Sequence, residues 1–340
     1  MFPAGFDPDN LSASSTLNKS VVGPVGLRFV DLEGRTGADL LSRDALLELL
    51  RTHLGEGAHV DPAHVADAWS AALSTQAVAA RDVAASVADE VARRLVALVA
   101  SLVLGRGGTV EPMAHPGERR AWAHVEEVTL GGGLLAGEVG PAVVDRLTKW
   151  MDEVGTPLPP IRMGPHPSLL ALIGAARSLE AVDGQHVVLD AGQTAIKRGV
   201  ASVAGGQLVG LRMLPAVAVE GVAEGNALRT LVEGAITDTV REVEDTAPRP
   251  VVMSVANYLR DGRPSGESPS PYESLRFAGD DFEQRVGREV RMVHDGTAAW
   301  RAAATPTPSA VIVLGTWLGV GFGPQRAPLL PGAPSFRIHV

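Results

Sequence analysis

The chain has 340 residues, 45% of them hydrophobic and 20% charged, a globular balance in a length sufficient for two domains of ordinary size. It carries 30 basic against 39 acidic side chains, a formal charge of −9, which argues against a broad phosphate-neutralising surface and so against nucleic acid as a partner. It contains no cysteine, so disulfides, thiolate zinc sites and cysteine nucleophiles are excluded and a cytoplasmic location is expected.

The first twenty residues lack a basic segment followed by an apolar core, so no secretory signal is expected there. No apolar run reaches the roughly eighteen residues that span a bilayer, and no membrane partner is expected. Residues 1–34 are polar and punctuated by proline and glycine. From about Leu40 to Leu104 the pattern is helical, with Ser42 ahead of one apolar-periodic segment and Asp61-Pro62 opening another. Thr75–Leu104 reads as one long amphipathic helix whose charges (Arg81, Asp82, Asp89, Glu90, Arg93, Arg94) form a solvated face. A polar loop over 105–120 leads to a short strand, Val125–Leu130, ended by three glycines, and to a helix over 141–153. Another helix is expected at Ser168–Leu179.

Strand texture follows. Val187–Leu189, Ala195–Val203 and Gln207–Met213 are separated by glycine-bearing turns and predict a three-stranded meander. Ala227–Val243 is helical, Val251–Val255 a buried strand, 261–274 a loop rich in Gly, Pro and Ser, and Asp280–Val286 a short helix. Val290–Val293 is a strand running into a helix at Thr297–Ala304. Val311–Leu314 is the last expected strand, before a glycine-studded turn and a proline-containing tail. The mixture of meander and crossovers is α/β.

Three segments share a design in which a short apolar strand runs into glycine. In the first, Val187-Val188-Leu189-Asp190-Ala191-Gly192-Gln193-Thr194, a carboxylate and a hydroxyl arrive at a tight turn whose amides can face phosphate oxygens. Asp190 beside a phosphate is repulsive unless a cation intervenes, so the pairing implies Mg²⁺ reached through water; a hairpin with an Asx-type turn explains the segment equally well. In the second, Leu314-Gly315-Thr316 is followed by Gly319, Gly321 and Gly323, a phosphate cradle or a glycine-rich hairpin with close packing. In the third, Gly131, Gly132 and Gly133 follow a strand and precede a helix, where a flat purine can lie against bare backbone or the chain can simply turn sharply. A fourth element, His294-Asp295-Gly296, sits where a strand meets a helix. Asp295 there can accept the proton of an attacking alcohol, or serve only as the helix N-cap.

Together these segments resemble the nucleotide site of the actin-like ATPase superfamily, most closely the ROK family of sugar kinases. The first turn is similar to the first phosphate motif, D-x-G-x-T-x-x-K, in Asp190, Gly192, Thr194 and Lys197. Leu314–Gly323 is similar to the second phosphate motif, Leu130–Gly133 to the adenosine motif, and Val293–Ala299 to the segment that supplies the catalytic aspartate. Ser168–Ala176 resembles the helix that closes such a chain. The adenosine motif and closing helix precede the first phosphate motif here, which is the order a circular permutation produces.

The resemblance implies a two-lobed actin-like (ribonuclease H-like) ATPase fold, circularly permuted, with nucleotide in the interdomain cleft. The expected lobes are residues 1–164 plus 294–340, and 165–293. The implied activity is transfer of phosphate from ATP–Mg²⁺ to a hydroxyl of a sugar, amino sugar or cyclitol, with Asp295 as base and Asp190 holding the metal. Gly192, Gln193, Thr194, Lys197, Gly315, Thr316 and Gly319 face phosphate, and Gly131–Gly133 the adenosine. A homodimer is expected from the resemblance alone. Two other classes stay open: a non-catalytic actin-like regulator or filament protein, and a kinase of the same superfamily acting on a non-sugar alcohol.

Two departures touch the acceptor side. Without cysteine the family's zinc loop cannot form, so no zinc is expected, and Phe336 stands where a glutamate precedes the histidine echoed by His339. His294 replaces the usual asparagine beside the catalytic aspartate; it can donate to a substrate hydroxyl or satisfy a neighbouring carbonyl. Asn257, just past the strand 251–255, is a candidate hydroxyl-binding amide or a loop cap.

Overall fold

The computed structural model describes residues 1–54, 60–110, 116–219, 225–244, 247–267, 270–277 and 279–339. The loops expected over 105–120 and 261–274 lie partly outside the described residues. The chain forms two compact units. The first comprises Met1–Phe6, Ser14–Leu169 and Thr305–Pro324, the second Asp7–Ala13, Leu170–Ala304 and Gln325–Val340. Of the stretch 294–340, expected to go with 1–164, only 305–324 belongs to the first unit. The helix Asp295–Ala303 packs instead on Leu170–Ala176, and the tail joins the second unit's sheet.

In the first unit, four strands run in the order Leu318–Gly323, Ser309–Leu314, Glu127–Gly131, Ile161–Met163. The first pair is antiparallel and the others parallel. The helix Val78–Val103 is the core of this unit. Ala84, Val87, Ala88, Val91, Ala92 and the run Leu95–Leu102 are buried, and the helix packs against the helices Val139–Glu153, Val65–Ser74 and Arg43–Leu54. Small side chains let these helices approach closely, and the Trp69 indole donates to the Ala84 carbonyl at 3.0 Å. The charged stripe of this helix is not simply solvated. Glu90 accepts from Arg93 at 2.7 Å and from Arg94 at 2.8 Å, and Arg93 reaches on to Asp31 at 2.8 Å. Arg94 is buried and donates to the Leu40 carbonyl. These guanidinium forks fasten the short helical segment Leu27–Leu32 and the end of Gly37–Leu41 to the long helix.

The second unit holds a six-stranded sheet in the order Val290–His294, Val251–Val255, Gly184–Ala191, Ala195–Ala204, Gln207–Ala218, Gly332–His339. The three strands from 184 to 218 form the antiparallel meander read from the turns, while 251–255 and 290–294 add in parallel to its first strand. Alternation puts Val187, Leu189, Ala191, Val251, Met253 and Val255 into one core with Val232 and Ile236 of the helix Asn226–Arg241. Two helices, Leu170–Ala176 and Asp295–Ala303, cross so tightly that a Cβ on Gly174 would lie 1.6 Å from the Ala298 carbonyl oxygen. The proline-containing tail forms a strand, Gly332–His339, parallel to 207–218 with Arg337 opposite Gly210 and Ile338 opposite Leu211. Among the described residues no helix is long and apolar enough to cross a membrane.

Candidate functional site

The parallel strands 184–191, 251–255 and 290–294 end side by side, with Asp190 opposite Ser254 and Ser254 opposite Val293. Ligands of open parallel sheets bind beyond such carboxyl ends. Because Leu189 and Ala191 point into the apolar core, Asp190 between them points to the other face. Its carboxylate is 7% exposed and fully engaged: Ser254 Oγ donates to Oδ1 at 2.6 Å and Lys197 Nζ to Oδ2 at 3.1 Å. Lys197 is also the cross-strand neighbour of Asp190, so the hairpin register itself makes the ion pair. With about a third of its side chain exposed, the ammonium keeps further donors for an anion.

The turn that follows is closed by protein groups. The Gly192 amide donates to the Ala195 carbonyl at 3.1 Å, and the Val219 amide to the Thr194 carbonyl at 2.9 Å. Tyr272 Oη donates to the Gly192 carbonyl at 2.7 Å; burial and the Asp190 charge push this phenol up, so it stays protonated. A Cβ at Gly192 would meet the Ala195 carbonyl oxygen at 3.2 Å, so glycine here relieves crowding within the turn. Gln193 is half-buried and Thr194 exposed.

Asp295 is the first helical residue, not the cap. His294 takes the cap position, its Nδ1 accepting from the Thr297 amide at 3.2 Å, which leaves the Asp295 carboxylate for other work. Asp295 Oδ1 accepts the Gly296 amide at 2.7 Å and lies 3.3 Å from His294 Nε2. Burial first, and the Asp190 charge second, push the carboxyl up to about 7, against the smaller pull of Lys197. Yet 24% of the side chain stays accessible, so a ligand can reach it. His294 is buried and stacked on Tyr258 with centroids 4.7 Å apart and planes 18° apart. Burial pushes its imidazole down to about 3, so the ring is neutral.

Asn257 is 4% exposed, and its Nδ2 donates to Glu273 Oε2 at 3.2 Å. Its Oδ1, with Glu273 Oε1 and Ser274 Oγ, is buried without a hydrogen-bond partner among the described residues. The residues that sequence reasoning missed are Ser254, Tyr258, Tyr272 and Glu273. Two signals were available: Ser254 is the one polar residue in the run Val251–Val255, and the chain's 2 tyrosines both stand at this site.

In the first unit the turns are built differently from the expectation. Gly319, Gly321 and Gly323 are not loop residues but a strand, paired with Val313, Val311 and Ser309. The turn between the strands is Gly315–Trp317, its base bracketed by Asn18, which donates to the Leu318 carbonyl and accepts its amide, both at 2.9 Å. The Gly315 carbonyl accepts the Arg43 amide. Gly132 has φ 108° and would place a Cβ 2.0 Å from the Leu314 carbonyl oxygen, and its amide donates to Pro167. Its glycine is therefore required by backbone packing, which also brings the 131–133 and 314–316 segments together; Gly131 pairs with Val313, and Gly133 is exposed.

Asp190 was the residue expected to hold Mg²⁺. With Oδ2 turned to Lys197 and Oδ1 to Ser254, its fit to the ion is through water, consistent with an ion that keeps most of its hydration shell. Among the described residues no three metal-ligating side chains cluster. A separate cavity of about 280 Å³, lined by Asp261, Arg263, Phe282 and Arg291 among others, flanks the strand 290–294 along Val290–Met292 rather than at its Asp295 end.

No protein-family model matches the chain, and no curated protein matches it. Among solved structures, an inorganic polyphosphate/ATP-glucomannokinase from Arthrobacter sp. strain KM is similar at 22% identity over 44% of this chain, with a TM-score of 0.35. The chain spans 62% of that structure's length. A likeness of this size carries no argument about activity, and the functional reading rests on the residues at the strand ends.

Proposed function

We propose that the chain is an ATP-dependent kinase of a small polyol (a sugar, amino sugar or cyclitol) with Asp295 as the general base. The observation that carries this is the accessible Asp295 carboxyl, held near 7 at the end of a parallel strand beside the Asp190–Lys197 pair. A base works best when its pKa lies near the operating pH. The strand orders support the actin-like, ribonuclease H-like reading, in which an antiparallel meander is extended by two parallel strands. In the first unit the parallel pair 127–131 and 161–163 precedes the hairpin 309–323 along the chain, which supports a circular permutation.

In this reading Lys197, with Thr194 and Gln193 of the turn, faces the phosphates; Gly192 and Tyr272 fix the turn's shape. Asp190, oriented by Ser254, would hold Mg²⁺ through water, and the ion would supply charge neutralisation for the transferred phosphoryl group. Asp295 accepts the proton of the acceptor hydroxyl. The acceptor oxygen forms its bond to the γ-phosphorus as the bond from that phosphorus to the β,γ-bridging oxygen breaks, and ADP leaves. Asn257 and Glu273 offer acceptor atoms to hydroxyl or amino groups of the substrate. The resemblance further assigns Gly315, Thr316 and Gly319 to phosphate and Gly131–Gly133 to adenosine.

The test is ADP release across a panel of sugars, amino sugars and cyclitols, with ³¹P NMR of the products and light scattering alongside. Acceptor-dependent ADP and a phosphomonoester product are expected. Nucleotide-dependent scattering without any acceptor-dependent turnover would favour the filament reading instead.

A further inference from the structure

The turn between the strands 184–191 and 195–204 is closed by a side chain from elsewhere in the chain. In a two-residue hairpin turn the first carbonyl ordinarily accepts the amide three residues on. Here the Gly192 amide does reach the Ala195 carbonyl at 3.1 Å, but the Gly192 carbonyl takes the Tyr272 hydroxyl at 2.7 Å in place of the Ala195 amide. Burial and the Asp190 charge both disfavour the phenolate, so the phenol keeps the proton it donates. Tyr272 is fully buried, its amide donates to Ser270 Oγ at 3.2 Å, and Ser270 Oγ donates to the Ala256 carbonyl at 2.9 Å just past the strand 251–255. The position of the phenol is therefore fixed independently of the turn.

The Gly192 carbonyl and the Gln193 amide belong to one peptide unit. That unit is trans, so its C=O and N–H point to opposite sides. With the oxygen held on the buried phenol, the Gln193 N–H is turned away from the segment Pro271–Phe277. Among the described residues neither this amide nor the next, at Thr194, has a hydrogen-bond partner. Successive backbone amides of this kind receive anion oxygens, and Lys197, cross-strand from Asp190, puts a positive charge beside the same turn.

We propose that Tyr272 is a positioning residue for phosphate: its hydroxyl holds the 192–193 peptide so that the Gln193 backbone N–H, rather than the Gln193 side chain, meets a phosphate oxygen. This rests on the reading of the 190–194 turn as a phosphate site. Without the hydroxyl the peptide is free to rotate, and its carbonyl can then face the anion.

The experiment uses the full chain with Mg²⁺ and inorganic tripolyphosphate, so that neither acceptor nor turnover enters. In ¹⁵N-glutamine-labelled protein, tripolyphosphate is expected to move the Gln193 backbone amide proton downfield and slow its exchange with water about tenfold. Tyr272→Phe keeps the buried ring and removes only the donor. It should lose that response and bind tripolyphosphate about tenfold more weakly in calorimetry, the equivalent of roughly 1.4 kcal/mol. Ser270→Ala loosens the same segment but leaves the hydroxyl, and should retain the response. A wild-type Gln193 amide that ignores tripolyphosphate overturns the proposal, whether or not Tyr272→Phe folds. Equal affinity in Tyr272→Phe and wild type, or equal losses in Tyr272→Phe and Ser270→Ala, overturn it as well. Acceptor-dependent ADP release alongside any of these three results leaves the kinase reading standing; the expected tripolyphosphate response without turnover of any polyol supports the inference and removes that reading.

Discussion

Burial and the Asp190 charge disfavour the Asp295 anion, so the ionised base accumulates only around and above neutral pH. Turnover should climb with pH below about 7 and level off above it, and the rising limb should be absent from the residual activity of Asp295→Asn. A pH–rate profile of both proteins checks this. The same shift bears on stability. A carboxyl whose folded pKa is raised from 3.8 to about 7 makes the folded state less stable as pH climbs through that window. His294, lowered from 6.5 to about 3, acts in the opposite sense, with stability lost as pH falls below 6.5. Asp295→Asn should therefore raise Tm at pH 8 and leave it unchanged at pH 4, as thermal melts at the two values would show. Ser254→Ala removes a charge-assisted hydrogen bond of 2.6 Å from a nearly buried carboxylate, and a loss of about 1.5–3 kcal/mol in chemical denaturation is expected.

Close approach between elements explains two glycines that motif reading assigned elsewhere or only to a family helix. At Gly174 a methyl group would meet backbone of the crossing helix, and Gly174→Ala should lose about 3 kcal/mol or more, measured by urea unfolding. Gly132, read as a bare surface for a purine, is needed for its positive φ and its contact with Leu314. The strand 251–255 and the meander were legible because apolar runs ended at glycine or polar punctuation. That a helix follows the strand 290–294 was legible too, but its start was read at Thr297 rather than Asp295, and the capping residue was not legible. A histidine cap depends on the ring reaching Thr297, and no spacing rule separates His294 from Asp295 at that position. The glycines 319–323 were read as a phosphate cradle or a close-packed glycine-rich hairpin, and the hairpin is what forms; alternating Gly-x-Gly lacks the side chains that mark strands, and the partners 309–313 supply the apolar surface instead. Likewise Arg94 looked solvated in a helical wheel and is buried, since its carboxylate and carbonyl partners come from residues one turn and fifty positions away.

At the scale of the molecule, the second unit reads as one sheet whose catalytic candidates all lie at one end of its parallel strands. The tail Gly332–His339 belongs to that sheet although its sequence carries two prolines nearby and little apolar alternation. It borrows its register from the strand 207–218, which cannot be read from the tail alone. Removing 332–339 uncovers that strand's edge, and a Tm lower by at least about 4 °C is expected. The kinase account ultimately asks one carboxyl to do chemistry without holding the nucleotide. The most direct test is single-turnover phosphoryl transfer by Asp295→Asn with calorimetric ATP binding on the same sample. The account predicts ATP affinity like the wild type and transfer slower by about 10²–10⁴-fold. Transfer at the wild-type rate, or loss of ATP binding in step with activity, would contradict it.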